Sequence, residues 1–415
     1  MNVVTVVQES REVGHFYVPR FEIRIEGEEL PDPVIRDITQ LTYKDNIKEI
    51  DGFEITVNNW DAAANDFKYV GAEPPKTDDQ EAKDRQTFRE RLFEPCNKKV
   101  SVRMGYGDKL VLMLTGTFTT MEPNFPASGP PTLAVRGLNV LHQLRRKQYT
   151  TSWPARPNEK ITDSQIAKEI AGLKDKDTKN KRFPLPIEID PTAAAQEPKL
   201  TYVAQKNQYD IDFLMGRARE RGYVIVVEEK DSRGPGSPEQ LYFGPSDGGK
   251  HVGLRDVTFE LEWGKTLIDF KPTLTTANQI KSVTVNGWDR KTKQPITETV
   301  TLDDPKLNKN KDLHELLQKC DPREEYVVDE AYYTKDEARK RAIALLMDRS
   351  KEIIKASGTT IGLPDLRAGK FINIKNLGSR FSGTYFITES THTINASGYI
   401  TKFNARREDK GTKET

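Results

Sequence analysis

Cysteine is almost missing from this sequence: Cys96 and Cys320 are the two in 415 residues. Neither has a C-x-x-C neighbour or a histidine close by, which excludes a disulfide framework and a thiolate metal knuckle and leaves two reduced structural thiols. Histidine is also scarce, at 5 residues, and His15, His142, His251 and His392 have no partner at ligand spacing. His314-Glu315 opens like a zinc-protease helix, but Gln318 stands where the second histidine is required, so no metal is expected. Nothing approaches the ~20 consecutive apolar residues that cross a bilayer. The opening M-N-V-V-T-V-V-Q-E-S lacks the basic start and apolar stretch of a signal peptide. Production in the cytoplasm, without direct membrane insertion, is the expectation. A charge excess is missing too: the net charge is +1, which gives no overall footprint for nucleic acid. The basic runs Arg145-Arg146-Lys147 and Lys179-Asn180-Lys181-Arg182 read as solvated loops.

The motifs that carry chemistry are missing as well. Gly105-Tyr106-Gly107 has Leu110 where a phosphate loop needs its third glycine, and strands flank it instead of a strand and a helix. Gly234 to Gly236 has no Lys-Ser/Thr after it, and no G-x-S-x-G elbow occurs. Asp210 and Asp212 form a carboxylate pair, but their place at a helix start suits capping better than acid/base work. No catalytic residue and no cofactor are expected.

What is present is a pattern stated twice. Ile55 to Asp61 reads I-T-V-N-N-W-D and Val283 to Asp289 reads V-T-V-N-G-W-D; Gly116 to Glu122 reads G-T-F-T-T-M-E and Gly383 to Glu389 reads G-T-Y-F-I-T-E. The order is kept, which implies a duplicated β-domain with Trp60-Asp61 and Trp288-Asp289 as equivalent residues.

A hydrophobic fraction of 35% against 31% charged residues implies extensive solvated surface or polar interfaces. Alternation at Phe21, Ile23 and Ile25, and again at Phe53, Ile55 and Val57, marks strands. A charged helix is expected over 78–93, then a strand at Val100 to Met104. The run Leu110, Val111, Leu112, Met113, Leu114 is apolar on both faces, which implies a barrel core on one side and a helix or a neighbouring subunit on the other. Thr162-Asp163-Ser164-Gln165 is a capping box opening a helix that stops at Gly172. Lys174 to Lys199 reads as a long exposed excursion. A second helix, capped by Asn207 or Asp210, carries Phe213 and Leu214 and stops at Gly222, and Tyr223 opens a buried strand. Thr334 and Glu337 cap the longest helix, which carries Ala338, Ala342, Leu345, Leu346 and Ile353 and ends at Gly358. The fold expected is α+β, mainly β: a β-barrel domain at 1–152, an α/β insert at 153–254, a second β-barrel domain at 255–405, each barrel with a helix, and a charged tail at 406–415.

The segment Tyr202 to Tyr223, Y-V-A-Q-K-N-Q-Y-D-I-D-F-L-M-G-R-A-R-E-R-G-Y, resembles the late control gene D family of phages and the VgrG-like, valine-glycine repeat spike proteins of type VI secretion. Gln205, Asp210, Phe213, Leu214, Gly222 and Tyr223 occupy the recurring positions; Tyr209 stands where the family often has serine. V-R-M-G-Y-G, L-T-G-T-F, R-G-L-N-V-L-H-Q-L-R-R, Trp153 and T-D-S-Q-I-A-K-E-I-A extend the resemblance over nearly the whole chain. It implies the central baseplate hub of a contractile tail or injection system. The two β-domains would be tail-tube-like, and the chain a homotrimer whose pseudo-sixfold ring adapts a trimeric spike to a hexameric inner tube. The partners implied are further copies, a separate spike protein, the inner tube protein and other baseplate components. The place implied is the bacterial cytoplasm during assembly, then a phage tail-like particle. The competing readings are a particle-associated cell-wall hydrolase and a wall-binding module in the insert.

Overall fold

A computed structural model describes residues 2–12, 18–70, 91–95, 98–156, 158–183, 185–229, 239–245, 257–277, 279–304, 319, 323–328 and 332–408. The fold is α+β and mainly β. Its frame is a pair of five-stranded antiparallel arrays. The first consists of β1 (Ile38–Asn46), β2 (Gly52–Asn58), β3 (Lys99–Tyr106), β4 (Lys109–Asn124) and β5 (Thr132–Asn139), in the spatial order β1-β2-β5-β4-β3. The second consists of β6 (Leu267–Leu274), β7 (Ile354–Ile361), β8 (Phe371–Lys375), β9 (Gly383–Asn395) and β10 (Gly398–Arg407), in the order β6-β7-β10-β9-β8.

The two arrays share more than order. In β4 the register slips past Thr119, where Phe118 faces Gly137 and Thr120 faces Arg136; in β9 it slips past Thr388, where Ile387 faces Ala405 and Glu389 faces Asn404. Superposing these slips sets Glu54, opposite Arg136, against Ser357, opposite Asn404. A second slip then coincides without adjustment: Ile38 faces Val57 and Gln40 faces Thr56, as Leu267 faces Thr360 and Asp269 faces Thr359. Bulges fix strand register and bend, so two of them at one offset mark a shared framework.

Closed barrels were expected, and the arrays instead open into each other. Beyond Glu389, β9 pairs antiparallel with β1, from Glu389 opposite Asn46 to Asn395 opposite Gln40. The result is one 14-stranded sheet, because the edges that would close each barrel are used to join the two. The N-terminal strand Asn2–Thr5 pairs in parallel with Val257–Glu262, which pairs in parallel with β8, so the first residues of the chain extend the second array. The end differs too: β10 runs on to Arg407, and Arg406 and Glu408 are buried against each other, so the part of the expected tail that is described is core. Residues 409–415, the two cysteines, His314 to Gln318 and all of the expected 78–93 helix before residue 91 lie outside the described residues.

The insert forms its own core around Trp153, Ile166, Phe183, Leu185, Leu214 and Phe243, and it recruits Leu141 and Leu144 from before the expected boundary. The Thr162–Gln165 capping box closes at both ends, Thr162 accepting from the Gln165 amide and Gln165 from the Thr162 amide. The segment 174–199 is not an exposed excursion: it buries Phe183 and contributes the strand Ile187–Ile189 and the helix Pro191–Gln196.

The long helix, Lys335–Lys351, packs Ala338, Ala342, Ile343 and Leu346 on a separate sheet of Gln294–Thr301, Ile280–Asp289 and Arg323–Val327. It stops before Ile353, which packs in the second array. Gly358 does not end it but lies in β7, where a Cβ would come within 2.6 Å of the Phe403 ring. Glycine is there for that close approach.

Candidate functional site at the junction of the two arrays

Where β1 meets β9 the core turns polar. Arg367, 4% exposed, donates from Nε to Asp45 Oδ2 at 2.9 Å and from Nη2 to the Met113 carbonyl at 2.7 Å, and also reaches the Tyr43 hydroxyl. Its guanidinium lies 4.5 Å from the centre of the Tyr43 ring. Asp45, 5% exposed, further accepts from the Ala368 amide at 3.1 Å, the Ser390 amide at 3.1 Å and the Ser390 hydroxyl. His392 continues the network to Ser390, Leu366 O and Tyr399. A buried charge stays charged when it is paired and hydrogen-bonded, and here the pair joins residues from opposite ends of the chain. Burial, with Arg367 close by, pushes the His392 imidazole down to about 3, so it is neutral.

More carboxylates gather behind this pair. Asp51 accepts from the Asn46 amide and from Asn139 at 3.1 Å each, yet burial and the nearby Asp45 raise it to about 7 against the pull of Arg367. Burial, then Glu239, lifts Glu229 well above the usual carboxylate range. A void of about 20 Å³ is lined here by Asp45 and Asp51 from the first array, Glu228 from the insert, and Arg367 and Lys370 from the second array. That is room for one water. The three parts of the chain thus meet around one guanidinium.

The expected motif residues of the insert come together as a second buried cluster. Asp210 was read as a helix cap; it is the first residue of Asp210–Arg221, 1% exposed, and the cap position belongs to Tyr209 without a side-chain bond. Its carboxylate instead binds Arg182, at 3.1 Å through Nε and again through Nη2, and accepts from Gln205 Nε2 at 2.8 Å. Arg182, read as solvated, lies 3.6 Å over the Tyr149 ring. Asp212 pairs at the surface with Arg145. Phe213 stacks on Trp153 at 5.3 Å, Leu214 is fully buried, Gly222 takes the left-handed turn at φ 68° and Tyr223 meets Phe243 edge-on. These residues hold the insert together, and Phe213 with Asp212 also lines a surface cleft that Tyr332 and Tyr333 border from outside the insert.

Trp60-Asp61 and Trp288-Asp289 build the same local hairpin. Asp61 accepts from the amides of Ala63 and Ala64, and Asp289 from those of Lys291 and Thr292. Asn65 and Lys293, four residues on, both adopt positive φ. The places in the fold differ, however. Trp60 follows β2 and meets Phe67, whereas Trp288 is half exposed on the separate helix-backed sheet, and the strand that corresponds to β2 is β7. Gly116 and Gly383 do lie on corresponding strands, two residues out of the shared register. In the apolar run, Met113 and Leu114 are fully buried and Leu110, Val111 and Leu112 half-buried. Met113 is the extra residue of a bulge against Val102 and Arg103, which turns two neighbours inward and frees the carbonyl that Arg367 uses.

The same architecture occurs in tail proteins of solved structure. Over 94% of its length the chain shares the fold of the tail protein from Neisseria meningitidis MC58 (TM-score 0.59, 12% identity, 97% of that chain). The same share matches the 43 kDa tail protein of prophage MuSo2 from Shewanella oneidensis (TM-score 0.57, 14% identity, 98% of that chain). It also matches the E. coli c3393 protein, a component of the type VI secretion system (TM-score 0.51, 12% identity, 77% of that chain). No curated protein matches the sequence. The chain belongs to the Alg8 N-terminal domain family, whose model matches residues 77–396. Among the described residues no helix is long and apolar enough to cross a membrane, and no group of three or more His, Cys, Asp or Glu could hold a metal ion.

Proposed function

We propose that this chain is the structural central hub of a baseplate in a phage tail or a related contractile injection system, of the late control gene D and VgrG-like kind. Three copies form a ring of six arrays that carries a trimeric spike on one side and the hexameric inner tube on the other, with other baseplate components around it. The observation that carries this reading is the repeated five-stranded array. One chain holds two copies of a framework, with the same strand order and the same two bulges. Three such chains present six similar surfaces while keeping threefold symmetry, which is what a three-to-six adaptor needs. The fold shared with tail proteins supports a structural rather than a catalytic role. Assembly in the bacterial cytoplasm and a final place inside a tail-like particle follow from the same reading. Light scattering and negative-stain imaging of the purified chain, mixed with the spike and tube proteins encoded beside it, test it. A threefold ring that binds both is the expected result, and a monomer that ignores both refutes it.

A further inference from the structure

We propose that copies of the chain join by repeating, between molecules, the junction that β1 and β9 make within one. This rests on the ring reading above and names the surfaces by which the ring closes. In β9, β10 covers one edge, while the other is shared: β8 pairs with it as far as Phe386 and β1 takes over from Glu389. Its counterpart β4 is covered by β5 on one edge and by β3 on the other only as far as Thr117. Among the described residues no strand occupies that second edge from Phe118 to Asn124. The counterpart of β1 is β6, which among the described strands pairs with β7 alone, with a single further bridge from Leu267 to Trp263. Among the described residues each chain therefore has an open place of the kind β1 fills, and a strand of the kind that fills it. They sit on different arrays, so a second copy is the occupant.

The shared register says which residues would meet. Asp45 opposite Ser390 becomes Leu274 opposite Met121; Tyr43 opposite His392 becomes Pro272 opposite Pro123; Leu41 opposite Ile394 becomes Phe270 opposite Phe125. All six incoming residues are apolar and lie on one face. Phe125 is 56% exposed, Pro123 is exposed, and Met121, Phe270, Pro272 and Leu274 are half-buried in the single chain. On the other face Thr273 would stand opposite Glu122, and Lys271 opposite Asn124 and diagonal to Glu122. The transferred pairing matches apolar with apolar and positive with negative, although only backbone register was carried over. The two prolines lack the N–H that would let any strand add at this edge, so the contact depends on these side chains. Because the two surfaces differ, the interface is head-to-tail, and three repeats of an in-chain and a between-chain junction close a six-array ring.

The test is a cysteine pair, Glu122→Cys with Thr273→Cys, in a Cys96→Ser, Cys320→Ser background, oxidised mildly and read by non-reducing gels and light scattering. A covalently closed trimer is expected, whereas Asp108→Cys with Thr273→Cys stays uncrosslinked. Phe125, which also meets the Phe67 ring edge-on at 5.3 Å within the chain, supplies a second variant: Phe125→Asp should raise the trimer dissociation constant at least about tenfold, while Phe67→Ala, which removes only the contact within the chain, should leave it within about twofold. A trimer by light scattering that never crosslinks at 122 and 273 overturns this interface and leaves the ring reading standing. A chain that stays monomeric with and without spike and tube proteins overturns both.

Discussion

Replacing Arg367 by methionine keeps the aliphatic stem and removes the only guanidinium at the β1/β9 junction among the described residues. Asp45 then loses its 2.9 Å partner, and the Tyr43 hydroxyl and Met113 carbonyl lose their shared donor. Breaking a buried pair by removing one member costs about 3–5 kcal/mol, because the remaining charge is stranded. Here Asp45 keeps the amides of Ala368 and Ser390 and the Ser390 hydroxyl, which places the expected cost near the lower end, at about 3 kcal/mol. The chain has several cores, so global unfolding need not be one transition. Hydrogen exchange of the β1 and β9 amides reads the junction directly. At about 1.4 kcal/mol per tenfold, their opening should become about a hundredfold more frequent. Asp45→Asn added to Arg367→Met removes the stranded charge and should recover part of the loss. If Arg367→Met left exchange of these strands unchanged, or if the two substitutions were strictly additive, the pair would not be what joins the arrays.

Asp51 is raised to about 7 from 3.8, so folding takes up a proton between those values. Its contribution is fully present below about pH 4 and is lost as pH rises toward 7; Asp51→Asn should flatten that part of the stability-pH curve, by at most about 1.4 kcal/mol per pH unit. Gly222→Ala should cost about 1 kcal/mol in thermal unfolding through its positive φ alone, since no atom lies within 4 Å of a Cβ there. Met113→Ala should cost about 2–5 kcal/mol and loosen β4, whereas Leu112→Ala, half-buried on the same strand, should cost clearly less when measured by urea titration.

Local features were legible in the sequence because the chemistry that makes them is local. The capping box at Thr162 needs only residues three apart, and the left-handed stop at Gly222 only a missing Cβ. The same locality explains what misled. I-T-V-N-N-W-D and V-T-V-N-G-W-D resemble each other because each ends in a hairpin that needs an aspartate acceptor, and each is followed four residues later by a left-handed residue. Neither requirement says which strand the hairpin follows. The true counterparts, such as Glu54 and Ser357, share no side-chain chemistry and are matched by register alone. Arg367 and Asp45 are 322 residues apart, and Arg182 gave no sign of leaving a basic run to neutralise Asp210. Long-range pairs of this kind follow from topology, which composition and periodicity do not encode.

The two junctions, one within the chain and one proposed between chains, differ in a way that their modes of formation require. The inner one buries Asp45 and Arg367 and spends four donors on one carboxylate. Its arrays are tethered by the chain, so the desolvation of that pair is met once, during folding, and the arrays cannot drift apart afterwards. A junction between separate molecules must instead form from surfaces that are fully hydrated before they meet, and has to offset lost translational freedom as well. Charges at its centre would add their desolvation to that cost. At the corresponding positions the sequence has Leu274, Pro272, Phe270, Met121, Pro123 and Phe125, with no charge on that face and with Lys271 and Glu122 kept to the other. On the proposed interface the duplicated framework differs where one copy folds and the other would dock, and introducing the inner solution at the outer site, as Leu274→Asp with Met121→Ser, should weaken assembly rather than strengthen it.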